Sequence, residues 1–248
     1  SIGIFTACIV FPVSILLEGS LTKIERDRIF VIYIIAFFVI FFWAAYEQAG
    51  ASLTLFAAEQ TDRTILGWEM PASWIQSFNP FFVVILAAIM PSVWGALNKR
   101  GMEPASPTKQ AIGLLLLSLG YLVICFGVKD VQPGVKVSLI WLTGLYFIHT
   151  MGEIALSPIG LSMVNKLTPV RFASLMMGIW YLSTSTANKF AGTLGGLYPE
   201  DGKVKTLLGF RIETMFDFFM VFVIMSGVAS LILFLLSKKL QKMMHGVE

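Results

Sequence analysis

The sequence predicts an all-α membrane protein that crosses the bilayer several times, and three observations carry that expectation. Of 248 residues, 56% are hydrophobic and only 13% charged, with a mean hydropathy of +0.79, whereas a soluble domain carries about 25% charged residues. Apolar runs long enough to cross a hydrocarbon core of about 30 Å as helices recur along the chain. Those runs are continuously apolar rather than alternating, which argues against barrel strands, and an open sheet cannot satisfy its backbone in lipid.

Seven apolar helical segments follow in order. The first, about Ile2 to Leu17, is short and contains Pro12. A charged stretch, Lys23-Ile24-Glu25-Arg26-Asp27-Arg28, separates it from a second helix running from about Arg28 to Ala58, longer than a bilayer requires. The third covers Trp74 to Leu97, the fourth Gln110 to Val128, the fifth Val137 to Asn165, the sixth Arg171 to Leu197 and the seventh Thr214 to Leu236. The opening SIGIFTACIVF has no initiator Met and no basic leader, and reads as a fragment of a longer chain. Cys8 and Cys125 lie far apart in apolar stretches, so neither a disulfide framework nor a metal site is indicated. The net charge of +3 is too small to suggest a nucleic-acid partner.

Charge sorts the loops of the last six helices. Lys23, Arg26, Arg28, Lys99, Arg100, Lys109, Lys166, Arg171, Lys238, Lys239 and Lys242 fall on one side, and outnumber Arg63, Lys129, Lys136, Lys203, Lys205 and Arg211 on the other. The positive-inside rule puts the first set, with both ends of the six-helix unit, in the cytoplasm. Six helices with both ends inside is the size of one half of a major-facilitator transporter, built from two inverted three-helix repeats. The expected organisation is therefore 1–20 as an extra helix, 21–27 as a cytoplasmic linker and 28–248 as a six-helix bundle. Within the bundle, 28–128 forms one triplet and 137–236 the other.

Two acids stand out at membrane depth, where a charge costs roughly 2.5–3.5 kcal/mol or more unless it faces a wet cavity or a partner. Glu47 and Glu153 fall on the first helix of each triplet, near mid-span, and point to a pathway for something cationic; a buried neutral or structurally paired state is the alternative. Gly50 interrupts one of these helices, and Gly152, Pro158 and Gly160 the other. Paired interruptions mark substrate sites in such folds; close helix packing is the alternative, and the coincidence with the two acids favours the functional reading. Trp43, Glu47 and Gly50 share one helix face, and His149, Glu153, Ser157 and Leu161 another. His149 is a relay candidate or a neutral packing residue. Asn79, beside Pro80, either binds a polar ligand or serves the helix start. Trp180 is a site candidate through its single donor. The run Ser183-Thr184-Ser185-Thr186 is expected mostly to bond back to its own helix, and Lys189 to pair structurally with Asp217.

The stretches FFWAAYEQAGASL, SPTKQAIGLLLLSLGYL and, above all, GEIALSPIGLSMVNKLTPVRFASLMMGIWYLSTSTANKFAG resemble the proton-coupled oligopeptide transporter family, over its C-terminal half from about Arg28 onward. The segment before Leu21 resembles one of two extra helices that bacterial members carry between their halves. The resemblance implies proton-coupled symport of di- and tripeptides by alternating access in the cytoplasmic membrane, with protons as coupling ion and no other cofactor. It implies that Glu153 binds the peptide amino terminus, that Glu47 serves proton coupling, and that Trp43, Tyr46, Asn79, Ser157, Leu161 and Trp180 line the binding cavity. Tyr46 stands where other members often carry Phe, and the resemblance gives His149 no role. The family's N-terminal acid-and-arginine motif is absent from this sequence, so the partners implied are the peptide, the N-terminal half and the bilayer. A half-transporter for another solute such as nitrate, or a non-transporting assembly module, are the competing readings. No nucleophile–base set, phosphate loop or metal cluster suggests an enzyme.

Overall fold

The computed structural model describes residues 2–129, 131, 134–200 and 203–247. Among them run eight α-helices: α1 (Ile2–Leu16), α2 (Lys23–Tyr46), α3 (Ser52–Glu59), α4 (Phe78–Lys99), α5 (Ser106–Val128), α6 (Leu139–Leu167), α7 (Ala173–Gly195) and α8 (Met215–Met243). Five segments are long and apolar enough to span a bilayer: Lys23–Glu59, Ala72–Lys99, Ser106–Val128, Leu139–Leu167 and Met215–Met243. α7 has the length, at 23 residues, but its polar run and Lys189 dilute its hydropathy. The chain is a multi-pass membrane protein.

Local chemistry sets the helix starts. Thr22 caps α2 in a reciprocal box: its Oγ1 accepts from the Glu25 N–H (3.2 Å), while Glu25 Oε2 accepts from the Thr22 N–H (2.8 Å). Thr214 and Asp217 repeat the device at α8, where Asp217 Oδ2 accepts from the Thr214 N–H at 2.9 Å. Asp217 is thereby committed to its own helix. The expected Lys189–Asp217 pair does not form; Lys189 is exposed and has no ion-pair partner among the described residues.

α5 is the central helix, packed most extensively on α8 and α6. Small residues permit the approach. A Cβ on Gly113 would stand 2.8 Å from Leu156 Cβ, and one on Gly152 would stand 2.9 Å from the Gly113 carbonyl. Hydroxyls stitch α5 to α8: Ser118 Oγ donates to the Val223 carbonyl (2.9 Å) and Ser230 Oγ to the Ala111 carbonyl (2.7 Å). α2 packs on α7 and α8, while α4 rests chiefly on α6 and buries only Leu86 and Met90. At one end of the bundle, Arg28 Nε donates to the Met244 carbonyl (3.2 Å) and His245 Nε2 meets Asp27 Oδ2 at 2.8 Å, tying the close of α8 to the opening of α2.

Two expectations about the helices are corrected. The second helix is not continuous from Arg28 to Ala58: a 3₁₀ turn over Glu47–Gly50 ends α2, and Ala51 (φ −126°, ψ −100°) separates it from α3. Conversely, α6 runs unbroken through Gly152, Pro158 and Gly160. There the glycines serve packing, since a Cβ on Gly160 would fall 2.6 Å from the Trp180 ring.

Strands, not expected at all, occur as two- and three-residue pieces in the loops: β1 (Thr61–Asp62) beside β4 (Val137–Ser138), the hairpin β2 (Thr64–Ile65)–β3 (Trp68–Glu69), and the hairpin β5 (Lys205–Leu207)–β6 (Phe210–Ile212). Each hairpin turns on Leu-Gly with both φ positive, at 50° and 83° for Leu66-Gly67 and 49° and 88° for Leu208-Gly209. That is the twist a two-residue hairpin loop needs.

Candidate functional site

Three helices converge on one carboxylate. Glu153 lies partly buried on α6, four residues after His149. From α2, the Tyr46 hydroxyl donates to Glu153 Oε2 at 2.5 Å. From the first turn of α4, Asn79 Nδ2 donates to the same oxygen at 2.9 Å, to Thr150 Oγ1 at 3.2 Å, and also to the Tyr46 hydroxyl. Thr150 in turn donates to the Tyr146 carbonyl at 2.7 Å, which orients its oxygen to accept from Asn79. Glu153 Oε1 makes no hydrogen bond among the described residues. One carboxylate oxygen is thus fixed by neutral donors and the other left for a further donor.

Glu47 occupies the turn where α2 breaks off, one residue beyond Tyr46, and is exposed. It makes no hydrogen bond or ion pair among the described residues. No lysine or arginine bonds to either acid within that set, so neither is held as a structural salt bridge. Adjacency to Tyr46 along the chain places Glu47 at the edge of the Tyr46–Glu153 contact.

The remaining sequence-derived candidates fall into two groups. Trp43 is partly buried and sets its ring edge against Tyr46 (centroids 5.4 Å apart, 79° between planes), so it flanks the cluster. Ser157 and Leu161 continue along α6 beyond Glu153, both partly buried. Trp180, by contrast, is 4% exposed and fills the notch over Gly160. His149 does not touch Glu153: its Nε2 donates to the Leu117 carbonyl (3.2 Å) and its ring packs on Gly120 and Tyr121. That is the packing role rather than the relay. Ser183, Ser185 and Thr186 donate back to the carbonyls of Trp180, Tyr181 and Leu182.

Three polar residues that the sequence reading passed over belong to the neighbourhood: Thr150, Gln48 and Tyr121. Gln48 is fully buried, and the rule that singled out Glu47 in an apolar segment applies equally to the amide beside it. Thr150 and Tyr121 carry no such signal, because threonine and tyrosine are ordinary in membrane helices.

The chain as a whole has known relatives. Residues 6–208 match the family model described as the POT family. Among curated relatives, the peptide transporter YePEPT of Yersinia enterocolitica is 37% identical over 185 residues, 74% of this chain and 36% of that protein. Dipeptide and tripeptide permease A of Escherichia coli is 30% identical over 218 residues, 88% of this chain and 43% of that one. The structure also superposes on a crystal structure of a peptide transporter POT in complex with sulfate. There the TM-score is 0.86 and the identity 29%, over 99% of this chain and 47% of that one. A POT family transporter in complex with 5-aminolevulinic acid gives 0.82 and 26%, covering 96% and 46%. The chain spans less than half the length of the relatives it matches. A family model that covers most of the sequence, and a helical arrangement shared with solved members, place this chain in the POT family.

Proposed function

We propose that the chain is the C-terminal half of a proton-coupled symporter of di- and tripeptides, in which Glu153 receives the peptide's amino terminus. The observation that carries this reading is the half-satisfied carboxylate. Tyr46 and Asn79 hold Oε2, and an ammonium group supplies the donors and the charge that Oε1 lacks. The names of the relatives support the substrate class, since those proteins are peptide transporters and dipeptide and tripeptide permeases. An anion such as nitrate would be repelled by two acids without bonded cations.

Glu47, on the turn beside this site, is the proton-coupling group in this reading. Protonation removes a charge at membrane depth and shifts the balance between the two access states, driven by about 2.3 kcal/mol per proton per 100 mV. Trp43, Ser157 and Leu161 line the side-chain pockets, and Trp180 supports α6 from behind. The two triplets, 28–128 and 137–236, are the inverted repeats, with both ends of the bundle in the cytoplasm. The N-terminal half supplies the cations that hold the peptide carboxylate.

Dipeptide uptake by the full-length protein in proteoliposomes, under an inward proton gradient, tests the assignment. Glu153→Gln is expected to lower uptake at least a hundredfold, the cost of removing a charged hydrogen bond and its ion-pair energy, about 3 kcal/mol. Uptake within twofold of wild type would overturn it.

A further inference from the structure

The break in α2 is a built feature, and the residues that build it lie on three elements. Ending a helix inside a membrane leaves backbone carbonyls without partners, and lipid offers no water to replace them. Here side chains do so. Tyr121, from α5, donates its hydroxyl to the Ala45 carbonyl at 2.7 Å. Thr54 donates to the Ala49 carbonyl at 2.7 Å, and Gln48 Nε2 donates to the Ala44 carbonyl at 3.2 Å.

Gln48 does more than close its own helix. The second hydrogen of Nε2 reaches the Ala191 carbonyl of α7 at 3.0 Å, and Oε1 accepts from Ser52 Oγ of α3 at 2.7 Å. A wholly buried amide is thus bonded on three sides, to α2, α3 and α7 at once. Gly195 of α7 stands directly over it, where a Cβ would come within 3.4 Å of Oε1. A fully satisfied polar group of this kind fixes one geometry, because any displacement of α7 against the break leaves a buried donor or acceptor bare. The neighbour on the chain is Glu47, whose side chain makes no hydrogen bond or ion pair among the described residues.

Resting on the role given above to Glu47, we propose that Gln48 is its positioning residue: the amide locks the α2 break to the α7 backbone, so that displacement of α7 reorients Glu47. Coupling between the proton site and the motion of the bundle then runs through the Gln48–Ala191 bond. Gln48 touches neither substrate nor proton in this scheme.

The experiment compares proton-driven dipeptide uptake with gradient-free dipeptide exchange in the full-length protein, for Gln48→Leu, Ser52→Ala and Glu47→Gln. Gln48→Leu keeps the volume and removes three hydrogen bonds. It is expected to reduce the driven Vmax about tenfold, with KM and exchange within about twofold, the size of a buried hydrogen bond or two. Ser52→Ala removes only the bond to Oε1 and is expected to lower the driven rate about threefold in the same selective way; it decides the matter if Gln48→Leu does not fold. Driven uptake and exchange falling together, in step with thermal stability, would show a packing role and overturn the proposal, as would no change in either. Glu47→Gln separates the two claims. If it retains driven uptake, the role of Glu47 itself is wrong; if it alone loses driven uptake, only the positioning role of Gln48 is.

Discussion

Glu153 is stabilised at membrane depth by one phenol and one amide rather than by a cation, and each contributes a hydrogen bond to a charged acceptor, worth about 1.5–3 kcal/mol. In the proposed role, removing either leaves the carboxylate less ordered and less able to receive a peptide ammonium. Tyr46→Phe is therefore expected to weaken peptide binding to the full-length protein about tenfold, near 1.4 kcal/mol, by calorimetric titration. An unchanged affinity would reduce the hydroxyl to a packing group. Much of this cluster was legible in the sequence, because acids and amides are rare and costly inside an apolar run. Thr150 was not: its hydroxyl bonds back to the Tyr146 carbonyl like any membrane threonine, and only the tertiary approach of Asn79 gives its oxygen a second use.

At the scale of elements, glycine was the residue read wrongly. Gly50 lies in the 3₁₀ turn that follows α2, whereas Gly152 and Gly160 sit within an unbroken helix, and nothing local to the sequence separates the two cases. What decides is the group opposite: the Gly113 backbone facing Gly152, and the Trp180 ring facing Gly160. Gly152→Val should therefore force α5 and α6 apart and lower stability by about 1–3 kcal/mol, seen as a fall in the thermal midpoint of the purified protein in detergent. A midpoint unchanged by the substitution would contradict this packing. Outside the membrane, the hairpin of β5 and β6 carries its own electrostatic clamp. Hydrogen bonds from Lys203 and Lys205 (2.6 and 3.1 Å), followed by their charges, hold the Glu200 carboxyl down at about 2, below its ordinary 4.5. Because the folded value is depressed, this contribution is present above about pH 4.5 and lost as pH falls towards 2. Glu200→Gln should remove it at neutral pH and raise the rate of proteolytic nicking between Tyr198 and Glu213, with no change expected in the helices.

The whole molecule is organised around unequal helices. α5 is enclosed by α6 and α8 and bonded to α8 by Ser118 and Ser230. α4 turns Phe81, Val84, Ile85, Ile89 and Val93 outward, all more than 40% exposed. The sequence predicted a multi-pass helical chain from length and apolarity, but five of the expected segments, not all, are long and apolar enough to span among the described residues. Which face of each meets protein and which meets lipid is decided by the partner helices, so α4 could not be told from α5. A helix held mainly along one seam opens without dismantling the rest, so local unfolding of α4 needs far less free energy than global unfolding. Among the membrane-spanning helices, hydrogen–deuterium exchange in detergent should find the amides of α4 exchanging first and those of α5 last. Asn79 belongs to α4. Opening α4 would withdraw one of the two donors on Glu153, so, on the proposal that Glu153 receives the peptide, dipeptide added to the full-length protein should slow exchange in α4 more than in the other helices of this chain.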